Sequence, residues 1–371
     1  MKILWLTTDW KKSEYRTKNN LYGGLGYYRG YKPANVLKKW HDVDVIGSEI
    51  LNWGTKEEVF TKIGSYDLVI ANYALLTGQE ISDLLATVRH FKKKILVDID
   101  DNFPAIRDDN PAATTYKNGA IGTVGAFLSL ADGVIVSTLP LKKVYKKWNK
   151  NIDVFPNCND VNDWPVERQN MQDEKIRIGF AGGLSHKKDL EMILEPMAYI
   201  LAKYPNVIFQ VIGALNPVDA MEMATKMYQL SNVDVADRFM VRGGTEAWHG
   251  YPELLNSFAW DIAIAPSIDD EFNKCKSHNR WMESTMIGCP VVASPVYPNI
   301  TPIQGRQVIR HGITGVIANN SEEWFEMLSG LIENPDKRKE IAKNAYDYIT
   351  KEWQWSNWEK EFKKIIDKYA V

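Results

Sequence analysis

"KIRIGFAGGLSHKKDLEMILEPMAYILAKY" (175–204) is an apolar run that stops at two glycines, passes through basic residues and becomes a helix-like pattern. Strand, glycine turn, helix is the unit from which parallel α/β sheets are built. The unit recurs downstream. "NVIFQVIG" (206–213), "RFMVRGG" (238–244), "DIAIAPS" (261–267) and "CPVVASP" (289–295) read as further strands. It has also run once before. "KILWLTT" (2–8), "DVDVIG" (42–47), "YDLVIAN" (66–72), "KKILVDID" (93–100) and "ADGVIVST" (131–138) read as strands, with helical patterns over 28–40, 79–91 and 119–130. In the first of these helices Tyr28, Tyr31, Val36 and Leu37 are candidate core positions. Near-continuous Val/Ile/Leu runs separated by helices indicate sheets covered on both faces. The polar, aperiodic stretch 156–174, with two prolines, reads as the linker. The expected architecture is α/β with two Rossmann-like domains, 1–165 and 175–354, and a cleft outside the strand C-termini.

The 371 residues suit two such domains, and 45% hydrophobic with 25% charged content is that of a globular chain. No apolar run approaches the roughly 20 residues that span a bilayer. Cys158, Cys275 and Cys289 form no CxxC pair and have few histidines near them, which speaks against a disulfide framework or a zinc site and fits a reducing cytoplasm better. Net charge is −2 but uneven. Residues 1–150 carry 22 Lys and Arg against 16 Asp and Glu, leaving the N-terminal part at +6 and the remainder at −8. An anionic partner for the first domain is one reading of that imbalance, and chance is the other.

Three glycine-bearing places suit a phosphate. "LYGGLGYYRG" (21–30) brings Gly23, Gly24 and Gly26 to the start of a helix. It lies too far past the first strand, and its third glycine is one residue late, for a dinucleotide fingerprint. In 179–190, Gly182 and Gly183 allow close backbone approach, with Lys187 or Lys188 to neutralise a leaving phosphate. In "EFNKCKSHNRWMESTMIGCPVVAS" (271–294), Ser277 reads as the N-cap of a helix ended by Gly288. Lys276, His278 and Arg280 flank that helix start, which suits a diphosphate, and Glu283 two turns in suits the hydroxyls of a ribose.

Four stretches together resemble the GT-B glycosyltransferases of family 4 type, the glycosyl transferases group 1. They are "YGGLGYYRGYKPANVLKKWHDVDVIG", "ADGVIVSTLPLKKVYKKWNKNIDVFPNCND" with Pro156, Asn157 and Asp160, "RIGFAGGLSHKKDL", and "KSHNRWMESTMIGCPVVAS" followed by "VIRHGITGVIANN". In the last, Glu283, Gly288, Pro290, Gly312 and Gly315 are in register. The resemblance implies a retaining transferase whose donor is a nucleotide diphosphate sugar. It implies donor contacts from Gly23, Gly24, Gly182, Gly183, His186, Lys187, Gly243, Lys276, Ser277, His278 and Glu283, with Lys188, Arg280 and Glu283 in catalysis. It also implies a C-terminal helix, 355–371, that packs back on the first domain. Many members have a second glutamate where this chain has Cys275; Lys276-Ser277 fits a variant of the motif. Where the family has a catalytic histidine, this sequence has Asp98, Asp100 and Asp101. Asp100 and Asp101 are expected to act at the reaction centre, and Arg29, Asp98 and Asn157 on the acceptor side. Three carboxylates leave a metal site open, whereas the resemblance implies no metal and no other cofactor.

The acceptor is open between a glycan or lipid-linked sugar, a modified DNA base and a small molecule. The basic stretches "RHFKKK" (89–94) and "LKKVYKKWNK" (141–150), the latter with Tyr145 and Trp148 interleaved, suit a nucleic acid or an anionic membrane surface. They also suit a plain solvated face. A sugar-nucleotide epimerase and a non-catalytic nucleotide-binding module are the alternatives to the transferase. Oligomeric state is not legible.

Overall fold

The computed structural model describes residues 1–7, 10–11, 21–47, 54–73, 78–165, 167–169, 171, 173–244, 248 and 250–370. Thr8, read as the end of the first strand, and Val371 lie outside them, as do 166, 170 and 172 of the expected linker.

Two six-stranded parallel sheets form. The first has the order β4-β1-β5-β6-β7-β8, from β1 (Lys2–Leu6), β4 (Asp42–Ile46), β5 (Leu68–Asn72), β6 (Lys94–Ile99), β7 (Gly133–Val136) and β8 (Ile152–Val154). A short antiparallel pair, β2 (Trp10–Lys11) and β3 (Leu21–Tyr22), stands outside it. The second sheet has the order β11-β10-β9-β12-β13-β14, from β9 (Ile176–Ala181), β10 (Val207–Ile212), β11 (Phe239–Arg242), β12 (Ile262–Ala265), β13 (Val291–Ala293) and β14 (Val316–Ile317). Strands β1, β5, β7, β12 and β13 are buried almost throughout, because helices cover both faces. In each sheet the strand order reverses at the first strand, between β4 and β5 around β1 and between β10 and β12 around β9. That reversal opens a crevice at the strand C-termini.

The stretch read as a linker is built into the molecule. Asn157 and Asn159 are buried, and the Asn159 side chain accepts from Trp164 Nε1 at 2.8 Å. Asn159 N–H donates to the Trp353 carbonyl at 2.8 Å, and Trp355 N–H returns to the Asn159 carbonyl at 2.9 Å. The two crossings between domains are thus pinned side by side. The C-terminal helix Trp355–Asp367 then lies on the first domain. Phe362 meets Trp5 and Phe155 with ring centroids 6.1 and 4.5 Å apart, and His41 reaches Asp367 at 3.2 Å.

Three local expectations need correction. The helix expected over 189–204 is two, Lys187–Glu191 and Leu194–Lys203. Pro196 has no N–H to return to the carbonyl of Met192, so one continuous helix would lose that bond. The helix expected at 28–40 begins earlier, at Gly24, and runs to Leu37 through a π-helical turn at Tyr27–Tyr31. Tyr31 is exposed at 39% and is not a core residue. Within 141–150, Tyr145 is fully buried and its hydroxyl donates to the Asp101 carbonyl, while Trp148 lies over Gly125. The Tyr145 ring is therefore not free for a base to stack on, and Trp148 is half-buried.

Candidate active site

The ends of β9, β10 and β11 meet backbone to backbone. Gly213 sits at φ +78°, and a Cβ there would lie 2.5 Å from the Gly182 carbonyl oxygen and 3.2 Å from the Gly244 Cα. Only glycine combines that conformation with that closeness. The result is a cavity of about 240 Å³ walled by Gly182, Gly183, Gly213, Gly244, Trp248 and Tyr251, with Gly24 opposite from the first domain. A second cavity of about 240 Å³ adjoins it and shares Ala181, Gly182, Tyr251 and Glu283. Its walls are polar: Asp100 and Asp101 from the first domain, His186, Lys276, Ser277 and Arg280 from the second.

Glu283 stands where the two lobes join. It projects from the helix Asn279–Met286, whose N-terminus opens into the polar lobe. Tyr28 and Tyr251 each donate a hydroxyl to it at 3.1 Å. Burial pushes its carboxyl up to about 7, against the pull of the two hydroxyls and of Arg280. The π-helical turn brings Tyr28 here; π turns recur where function needs a reoriented side chain. Trp248 closes this wall, stacked on Tyr27 at 4.0 Å.

Arg280 is one cation of the polar lobe, beside Lys276. Its guanidinium donates to the Pro266 carbonyl at 3.2 Å, lies against His186 at 2.8 Å and stands over the Phe180 ring at 4.9 Å. It makes no ion pair with a carboxylate among the described residues. Burial and the Arg280 charge push the His186 imidazole down to about 3. The same His186 Nδ1 that Arg280 approaches also meets an Asp189 oxygen at 2.7 Å. Burial would raise that carboxyl, but His186 and Arg280 hold it well below the usual range, and backbone and amide donors add to this.

The expected acidic triplet is divided. Asp98 is buried and paired with Arg29 in a two-point ion pair at 2.9 and 2.6 Å, and Arg29 also donates to the Phe155 carbonyl at 2.9 Å. These two, expected on the acceptor side, hold the first domain together below the cleft. Asn157 takes an Arg29 bond at 3.2 Å and passes its own to Ser277 and Asn279 at 3.0 Å each, so it joins the domains. Asp101 is held by Lys276 at 2.6 Å. Asp100 faces the polar lobe, and burial together with the Asp101 charge pushes it up to about 7. Among the described residues no three His, Cys, Asp or Glu side chains are gathered to hold a metal ion.

Other expected positions fall elsewhere. Lys187 is engaged by Asp219 at 2.6 Å and Glu222 at 3.2 Å, and Lys188 points to Asp109 at 3.7 Å with half its side chain in water. Both turn from the cavity, because the helix Lys187–Glu191 presents Asp189 inward. His278 does line the polar lobe, but its ring packs on Trp353, centroids 4.3 Å apart, and burial pushes its imidazole down to about 3, so it is no cation. Ser277 is not the N-cap; His278 holds that position without a side-chain bond. Gly243 is replaced at the cavity wall by its neighbour Gly244. Gly23 is buried at the start of the helical run and leaves the cavity to Gly24. Tyr251 and Trp248 were missed, since no motif surrounds them. The glycines closing β10 and β11 were visible as strand ends in the sequence.

The glycine-ended strands, the helix start and Glu283 form one continuous cleft. Residues 165–348 match the glycosyl transferases group 1 family. The fold is GT-B. HepE of Anabaena, solved in complex with UDP-glucose, superposes with a TM-score of 0.62 over 99% of this chain and 100% of that one, at 16% identity. Sucrose-phosphate synthase from Thermosynechococcus elongatus superposes with a TM-score of 0.63 over 99% and 98%, at 14% identity. In sequence, the chain is 24% identical over 204 residues to D-inositol 3-phosphate glycosyltransferase of Corynebacterium urealyticum. That match covers 52% of this chain and 42% of that relative's length.

Proposed function

We propose that the protein is a retaining, family 4-type glycosyltransferase that moves a sugar from a nucleoside diphosphate sugar to an acceptor hydroxyl or amine. One observation carries this reading: Arg280, half-buried at the helix start, makes no direct ion pair with a carboxylate among the described residues and shares its cavity with Gly182 at the end of β9. A charge held away from water needs a counter-charge, and a diphosphate supplies one. UDP-sugar complexes of the like-folded HepE support the same class of donor.

In this reading the base and ribose occupy the glycine-walled lobe, with Glu283 accepting from the ribose hydroxyls. The sugar lies in the polar lobe near Asp100. The bond from the anomeric carbon to the phosphate oxygen breaks, and its electron pair leaves with the diphosphate, whose growing charge Arg280 and Lys276 stabilise. The acceptor attacks the anomeric carbon from the same face and gives its proton to the departing phosphate oxygen. Side-chain cations carry the leaving-group charge, and we assign no metal ion a role. The three buried free thiols fit a reducing cytoplasm, with the basic first domain toward an anionic acceptor or membrane surface.

The test is thermal-shift screening with UDP-, GDP-, ADP- and CDP-linked sugars, since a ligand of the native state raises the melting temperature by mass action. The donor that shifts most is then incubated alone with the protein. Free sugar released slowly supports transfer; an epimerised donor supports the epimerase instead. No shift with any of them defeats the proposal.

A further inference from the structure

Arg107 belongs to the first domain, in the loop after the turn Phe103–Ala105, yet its guanidinium is spent on the second. Nη2 donates to the Ser185 carbonyl at 2.5 Å, and Nη1 reaches Asp189 at 3.2 Å and Asp270 at 3.4 Å. Ser185 and Asp189 bracket His186. The Asp189 carboxylate is fully enclosed: one oxygen takes Arg107, Ile268 N–H at 3.0 Å and the Asn273 amide at 2.8 Å, and the other faces His186 at 2.7 Å. His186 in turn lies against Arg280 at 2.8 Å. An unbroken chain of contacts therefore runs from the first domain to the unpaired cation of the cleft.

The seam is also built to part. Asp109 approaches Arg107 Nε at 3.3 Å and Lys188 at 3.7 Å, but both of its oxygens are buried without a hydrogen bond. A carboxylate so poorly satisfied gains hydration when the domains separate, which lowers the cost of opening. The crossover at Asn159 and Trp353 to Trp355 shares no residue with this seam, so it can act as the hinge while the seam opens.

We infer that Arg107 is a positioning residue: on domain closure it fixes Asp189 and His186, and through them sets Arg280 for the departing diphosphate. The role of Arg280 rests on the function proposed above; the latch between domains does not. Binding of the nucleotide to the open second domain needs little from Arg107, whereas the reaction needs the closed form.

The experiment compares wild type, R107A, R107Q and R107K. UDP, GDP, ADP and CDP are titrated calorimetrically, sugar release from the best donor is timed, and small-angle scattering is recorded with and without nucleotide. R107A and R107Q are expected to bind the best nucleotide within about 3-fold of wild type, release sugar at least about 10-fold more slowly, and scatter with a larger radius of gyration. R107K recovers part of the rate. Equal losses of affinity and rate, or a radius and a rate both unchanged, overturn the inference. If no nucleotide binds even wild type, the function proposed above fails, and the nucleotide-free scattering alone decides the latch: no opening in R107A or R107Q overturns it. R107Q keeps the side-chain stem, so it serves if R107A does not fold.

Discussion

Glu283 carries two tyrosine hydroxyls at 3.1 Å and a carboxyl that burial lifts to about 7 from an ordinary 4.5. The sign of the consequence is fixed. The native state holds this proton more tightly than the unfolded chain, so its stabilising contribution is present below about pH 4.5 and is lost as pH rises through 7. E283Q removes that loss. Between pH 5 and 8, wild type is expected to lose ~1–3 kcal/mol more stability than E283Q, measured by urea unfolding at both pH values. Asp100 slopes the same way but is common to both proteins, so the difference isolates Glu283. E283Q is also expected to bind nucleotide at least about 10-fold more weakly, since a ribose would lose a charged acceptor. Glu283 and Arg280 were legible because a helix start before a buried strand announces a cleft position. Tyr251 was not, because its role arises only when a helix 32 residues upstream packs beside Glu283.

At the scale of elements, the strand ends carry the site. G213A adds a methyl 2.5 Å from the Gly182 carbonyl at a backbone φ of +78°. The turn must move, so nucleotide binding should fall at least about 10-fold while the sheet still forms; far-ultraviolet circular dichroism and calorimetric titration check both halves. Strand positions were readable from apolar runs, because parallel strands are buried on both faces and need no alternation. The break of the helix at Met192–Ile193 and the π turn at Tyr27–Tyr31 were not. Both are small departures from helical hydrogen bonding that packing, not local preference, decides.

Across the whole molecule, the C-terminal helix fastens what the crossover joins. Trp358 and Phe362 fill a space bounded by Trp5, Phe155 and Trp355. Ending the chain after Gln354 would open that apolar surface to water, and the truncated protein is expected to be recovered mostly insoluble, as yield against wild type would show. Arg29 and Asp98 act at this scale too. They looked like site residues in sequence, yet their charges cancel inside the first domain.

The sequence by itself determined two parallel sheets, their order of building and the segments that end at the cleft, because burial on both faces and glycine at close turns are written locally. Tertiary structure decided which charges work there. Lys187 and Lys188 were claimed by carboxylates outside the cleft, His278 was shut in against Trp353, and Arg280 was left without a direct carboxylate ion pair among the described residues, with Asp189 reached only across His186. The physical reason is that a charge is assigned by the nearest opposite charge in space, and residues 32 to 175 positions apart settle which one that is.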